Sequence, residues 1–211
     1  PRPASAVSPA SASSSSGAEV RRIFLALTAL SLPAQEPPAW WKALPGLPRL
    51  ESAFVQESES AVFGKLRREG KLQLTKGGRI RVAYKGGLLV VSDGKTLMQY
   101  DPGARTAQKL NLKTVASEMP LLNVLVDPRA LDSVYRAKAQ ADGGMLLEPR
   151  KPGLPKVALE GKGGLLKKVA WVDATGARQV LELLDPKVPA SIPDSTYKLR
   201  VPAGTRWIET R

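Results

Sequence analysis

From residue 53 to residue 112 the chain alternates apolar and polar side chains with a period of two, the signature of half-buried strands. Residues 53–63 and 65–75 flank Gly64. In the second run Leu66, Leu72 and Leu74 share one face, with Arg67, Lys71 and Gln73 on the other. Lys76-Gly77-Gly78 turns the chain, and the next run puts Ile80, Val82 and Tyr84 on one face against Arg79 and Arg81. Gly86-Gly87 turns it again into residues 88–102, LLVVSDGKTLMQYDP, two apolar runs about Asp93-Gly94. That dipeptide is a strong hairpin signal, because a tight primed turn needs positive φ and Gly adopts it without steric cost. Pro102-Gly103 leads to a further short strand, 105–112.

The period then changes. Residues 114–132 read as one or two short helices with an apolar patch of Leu121, Leu122, Leu125 and Val126, and Pro120 and Pro128 near the ends. Strands resume at 133–140, 144–148, 155–160, 165–173, 177–184 and 197–201, punctuated by Gly and Pro. Before all of these, Trp40, Trp41, Leu44, Leu47 and Leu50 suggest a short helix or two turns broken by Pro45, Gly46 and Pro48. Short strands at regular spacing predict a mainly β protein, a closed or nearly closed antiparallel barrel with helical inserts able to cap it. A curved sheet must cover its apolar face with another sheet, with helices or with a ligand. About eleven strands against roughly three short helices favour an apolar ligand; a core filled by side chains remains the alternative.

The N-terminus has a different texture. Residues 1–19, PRPASAVSPASASSSSGAE, hold almost no bulky apolar side chain and are expected to be disordered. Residues 20–34 read as a signal peptide: Arg21-Arg22, an apolar octet from Ile23 to Leu30, then small residues before Gln35. That octet is too short to span a bilayer. With Val20 as an alternative initiator, the precursor would begin there and residues 1–19 would fall outside the native protein. The folded domain is then 35–211.

Composition narrows the chemistry. The chain has 211 residues, 43% hydrophobic and 24% charged, within the range of one soluble domain. It contains neither Cys nor His, which removes disulfides, thiolate nucleophiles, imidazole metal sites and the usual general base. Without a Cys after the cleavage site the protein is expected not to be lipidated itself. The net charge is +13, and removing residues 1–34 leaves +11, so the basic excess belongs to the folded part. It invites a polyanion or an anionic surface, or is simply well solvated. No catalytic constellation emerges. Ser92-Asp93 suits a turn, Lys167-Lys168 an alternating strand, and Glu57 with Glu59 lacks the second acidic pair a metal or glycosidase site would use. The glycine pairs do not match a phosphate loop. With 5% aromatic content there are few stacking platforms for nucleic acid. Neither enzyme activity, cofactor, metal nor nucleic-acid partner is expected.

The stretch LVVSDGKTLMQYDP closely resembles a segment of the LolA-type outer-membrane lipoprotein carriers. Other positions fall in the same order: Phe54-Val55-Gln56, Gly70-Lys71-Leu72-Gln73-Leu74, the run 79–84, Pro120-Leu121-Leu122, Leu147-Glu148-Pro149-Arg150 and the run 197–204, YKLRVPAG. The resemblance spans about residues 38–208 and is strongest in the hairpin. It implies an incomplete, half-open antiparallel barrel with short helices as a lid over an apolar cavity. It also implies a monomeric periplasmic carrier that takes the acyl chains of lipoproteins from an inner-membrane ABC exporter to an outer-membrane acceptor, touching membranes only transiently. No covalent chemistry is implied. Inward-facing residues are expected at Leu72, Leu74, Ile80, Val82, Met98, Tyr100, Leu121, Leu122 and Leu125. Where the family has Arg-Pro this chain has Lys76-Gly77. The family's arginine holds the lid closed, and Lys lacks its planar fork, so lid gating is expected from Lys76 with Arg79 or Arg81 compensating. A carrier or sensor of another lipid or glycolipid on the same fold, and a basic polyanion- or protein-binding module without a cavity, remain alternatives.

Overall fold

A computed structural model describes residues 35–111 and 131–209. Twelve strands form one sheet: β1 (Arg49–Ser60), β2 (Gly64–Thr75), β3 (Arg79–Tyr84), β4 (Leu89–Asp93), β5 (Thr96–Asp101), β6 (Thr106–Asn111), β7 (Tyr135–Ala139), β8 (Met145–Pro149), β9 (Val157–Lys162), β10 (Leu165–Val172), β11 (Arg178–Lys187) and β12 (Arg206–Glu209). Their order across the sheet is β12-β6-β5-β4-β3-β2-β1-β11-β10-β9-β8-β7. Two meanders of consecutive hairpins are joined where β1 meets β11, and among the described residues only β12 with β6 is parallel. The outermost strands β12 and β7 do not pair, so the curved sheet is an open one, consistent with a half-barrel. Two short helices are described, α1 (Ala39–Ala43), which passes into a 3-10 turn (Leu44–Gly46), and α2 (Leu131–Val134). The expected tail 1–19 and signal peptide 20–34, and residues 114–130 of the expected helical section 114–132, with Leu121, Leu122 and Leu125, lie outside the described residues.

Side-chain parity decides what faces what. Antiparallel partners point to the same side of a sheet, so Leu50, Leu74, Ile80, Ser92 and Leu97 form one row across five strands. Ser52, Leu72, Val82, Val90 and Gln99 form the next, and Phe54, Gly70 and Tyr84 a third. Through β11 the same face continues as Leu183 and Leu181, then Val169, Leu159 and Met145. This inner face carries the hydrophobic core.

The opposite, outer face is charged. Glu51 takes a hydrogen bond from Gln73 Nε2 at 2.7 Å and ion pairs from Lys71 and Lys187 at 3.2 and 3.3 Å. Desolvation pushes its pKa up, but these donors together hold it below the ordinary glutamate value. Part of this face is nevertheless buried, because the segment after β11 lies across it. Arg49 Nε donates to Pro189 O, and a 3-10 turn (Asp194–Tyr197) lies against β3 and β4. Tyr197 and Thr75 share a 2.7 Å hydroxyl hydrogen bond, and Arg79 sits over the Tyr197 ring while its Nη1 bonds Asp194. Val91 and Ala107, both on this side, are buried.

Two expectations shift. Residues 197–201 do not form a strand; they are drawn off the ladder by the burial of Tyr197, and the closing strand is β12. The hairpin between β4 and β5 turns on Gly94-Lys95, one residue later than expected. Asp93 precedes the turn so that its Oδ1 can accept the backbone N–H groups of Lys95 and Thr96, both at 2.9 Å. Gly94 has φ 99°, and a Cβ there would run into the Gly77 carbonyl of the neighbouring turn.

The Asp93 cap has a pH signature. The Thr96 and Lys95 amides hold its carboxyl below the ordinary aspartate value of 3.8. A depressed folded-state pKa gives stability that is present above the unfolded value and lost as pH falls through the folded one. Asp93→Asn is therefore expected to unfold at lower urea than the native chain near neutral pH. The two midpoints should converge once the pH is well below 3.8; a gap that persists in acid would exclude the carboxylate as its source.

Candidate functional site

The inner face divides into a sealed floor and an accessible part. Leu72, Leu74, Ile80 and Leu97 are buried floor. Val82, Tyr84, Val90 and Leu110 on the β2–β6 side, and Ala137, Ala139 and Trp171 on the other, are only partly covered and pack against the buried core. Together they offer an apolar surface that the described residues leave in part open.

One end is closed by α1. Trp40 is 5% exposed, its indole Nε1 donates to Gly143 O at 3.0 Å, and its ring lies on Gly161 of β9, where a Cβ would collide with the indole. Trp41 stands edge-on to Trp40, their ring centroids 6.0 Å apart. The other end turns polar. Tyr84 OH donates to Gln56 Oε1 at 2.9 Å, and Gln179 Nε2 donates to Ser58 Oγ at 2.8 Å and to Asp173 Oδ2 at 2.9 Å. Gln56, Ser58, Leu66, Arg68 and Gln179 line a hollow of about 240 Å³ there. Burial raises the Tyr84 pKa, with Arg68 opposing, so the hydroxyl stays a neutral donor. Beyond this rim residues 64–68 of β2 pair with β1 and not with β3, and the hairpin tip bares Val62 and Phe63 at 81% and 89% exposure.

The expected inward residues separate by face. Leu72, Leu74, Ile80 and Val82 lie together on the inner face. Met98 and Tyr100 do not join them: Met98 pairs with Val91 and Tyr100 with Leu89, both on the outer face. Across the two-residue loop the Ile80 row continues to Leu97 and the Val82 row to Gln99, so apolarity alone misassigns β5. Of the residues expected to gate the lid, Arg79 and Arg81 lie on the outer face, away from the apolar rows. Arg79 bonds Asp194 and Arg81 Nη1 donates to Thr196 O at 3.2 Å; both hold the C-terminal segment on the outer face. Lys76 is exposed in the β2–β3 turn, where its backbone N–H donates to Pro48 O. Sequence reading also passes over the polar rim, although Gln56 and Ser58 are in phase with Leu50, Ser52 and Phe54 and their parity was there to be read.

One buried hydroxyl stands out. Tyr135, at the edge strand β7, is 1% exposed and its OH finds no hydrogen-bond partner among the described residues. Burial raises its pKa.

Comparison with known proteins finds relatives at low identity. A curated outer-membrane lipoprotein carrier protein of Pseudomonas putida is 24% identical over 126 residues, covering 57% of this chain and 60% of that protein. Among solved structures, a conserved protein of Thermus thermophilus aligns with TM-score 0.48 at 13% identity, over 82% of this chain and 95% of its own. A LolA superfamily protein of Nitrosomonas europaea aligns with TM-score 0.46 at 10% identity, over 76% and 96%. The family model described as "Outer membrane lipoprotein carrier protein LolA" matches residues 47–200, the stretch from just before β1 to beyond the Tyr197 turn, and the chain belongs to that family.

Proposed function

We propose that this protein is a periplasmic lipoprotein carrier, accepting acylated proteins from an inner-membrane ABC exporter and delivering them to an acceptor at the outer membrane. The observation that carries this reading is the partly open apolar surface on the inner face, in a chain of the LolA family. Each methylene of an acyl chain costs roughly 0.8 kcal/mol to wet, so a triacylated protein is held in its membrane by tens of kcal/mol unless an apolar host takes the chains. Val82, Tyr84, Val90, Leu110 and Trp171 would contact the chains, over a floor of Leu72, Leu74, Ile80 and Leu97. The polar rim of Gln56, Ser58 and Gln179 would meet the linkage where acyl chains give way to peptide. Transfer needs no bond making or breaking, hence no catalytic group or cofactor. Leu121, Leu122 and Leu125 are proposed for the lid, and residues 20–34 for the export signal.

Native mass spectrometry of protein isolated from envelope extract tests both location and cargo. A polypeptide beginning at or near Gln35 with bound lipoprotein or lipid is expected. A polypeptide beginning at Pro1 overturns the export reading, and an empty protein that takes up no acyl probe overturns carriage.

A further inference from the structure

The outer face carries a second concavity with a different chemistry. Between β2–β4 and the C-terminal segment lies a cleft of about 330 Å³ lined by Gln73, Arg81, Leu89, Ser195, Thr196, Lys198 and Arg200. Its lining holds three cationic side chains and no carboxylate. Several cations elsewhere on the sheet are matched: Lys71 and Lys187 share Glu51, Arg79 has Asp194, Lys85 and Arg67 share Glu69, and Lys138 has Glu148. Here Arg81 spends one guanidinium bond on Thr196 O, while Lys198 and Arg200 meet no carboxylate among the described residues. Two acids border the lining, Glu51 in register with Gln73 and Asp194 next to Ser195, and both are engaged: Glu51 by Gln73, Lys71 and Lys187, and Asp194 by Arg79.

We propose that this outer-face cleft is a binding site for a phosphate group. Two guanidinium groups offer planar forks that match tetrahedral oxyanions, a lysine adds a point charge, and the Ser195 and Thr196 hydroxyls can donate alongside them. Three cations lining one cleft suit a dianion better than a single carboxylate. Arg81 is pre-positioned by its bond to Thr196, so one member of the set loses little freedom on binding. The phosphate can be a free small-molecule monoester or the headgroup of an anionic phospholipid. The cleft lies on the face opposite the apolar one, so both could be filled together, and the proposal does not depend on carriage.

The test uses the whole chain at low ionic strength. Titration with inorganic phosphate is expected to shift the amide resonances of Ser195, Thr196 and Arg81 saturably. The exposed pair Lys198→Gln with Arg200→Gln should weaken that binding by about tenfold or more, the loss expected when a bond to a charged group goes, with an unchanged melting temperature and unchanged acyl-probe uptake. Glycerol phosphate and vesicles of phosphatidylglycerol against phosphatidylcholine separate the sources. Selective, variant-sensitive binding to phosphatidylglycerol assigns the headgroup, and binding of phosphate and its ester without vesicle association assigns a soluble ligand. Absence of saturable shifts with phosphate and with vesicles, or equal binding by the double variant, overturns the site.

Discussion

Val82→Glu is expected to lower uptake of an acyl probe by at least about tenfold while the protein stays folded, whereas Met98→Glu leaves uptake near the native level. Val82 sits mid-row on the inner face, between Leu72 and Val90, and is partly accessible, so a carboxylate there meets solvent enough to be tolerated. An acyl chain laid on that face would have to desolvate the charge, and burying an unpaired polar or charged group costs several kcal/mol, more than one methylene contact returns. Met98 lies on the outer face in register with Val91 and Lys109. Equal loss in both variants, measured by fluorescence of a bound acyl probe with circular dichroism as the folding control, would mean that uptake does not occur on the inner face. Loss in Met98→Glu alone would restore the assignment that apolarity by itself suggests. Ile80→Glu is the less informative variant, since Ile80 is 1% exposed and a charge there threatens the fold itself.

The pair Val82 and Met98 also shows how far the amino-acid pattern reaches. Period-two alternation identifies nearly every strand and the apolar face of β2 and β3, because Leu72, Leu74, Ile80 and Val82 are flanked by Lys and Arg that cannot share their side. In β5 that contrast vanishes: Leu97, Met98 and Tyr100 are all apolar, and only the pairing with β4 decides which side each takes. Parity across the hairpin carries the answer, but only once the turn is located, and Asp93 moves the turn by one residue through its carboxylate. The roles of Arg79 and Arg81 depend on contact with residues more than a hundred positions away, which local alternation does not encode. The same holds for the phosphate cleft, assembled from one strand face and a strap with no period of its own. Arg81 is legible as outward-facing; its neighbours Lys198 and Arg200 are not.

Long-range assembly is also what makes Trp40 the residue with the largest expected effect on stability. Trp40→Ala should cost about 3–5 kcal/mol, the usual range for removing a buried aromatic side chain, read as a drop in the urea midpoint. Three losses combine. The indole leaves a void beneath α1, Gly143 O loses its donor, and Trp41 loses its edge-on partner. Trp40→Phe separates them in part: it keeps an aromatic ring but forfeits the hydrogen bond and part of the indole volume, so it should cost less than Trp40→Ala. Gly161 supplies the reciprocal test. The indole rests where a Cβ would be, so Gly161→Ala in the native background must push Trp40 aside and is expected to destabilise, even though Ala suits a strand better than Gly. In the Trp40→Ala background the obstacle is gone, and the same change should become neutral or slightly stabilising. Residues in direct contact show such coupling, while independent ones add. Additivity between the two substitutions would show that α1 does not seat on β9 through this contact. A coupling of the expected sign would identify the glycine as the reason a helix of five residues can close this end of the inner face.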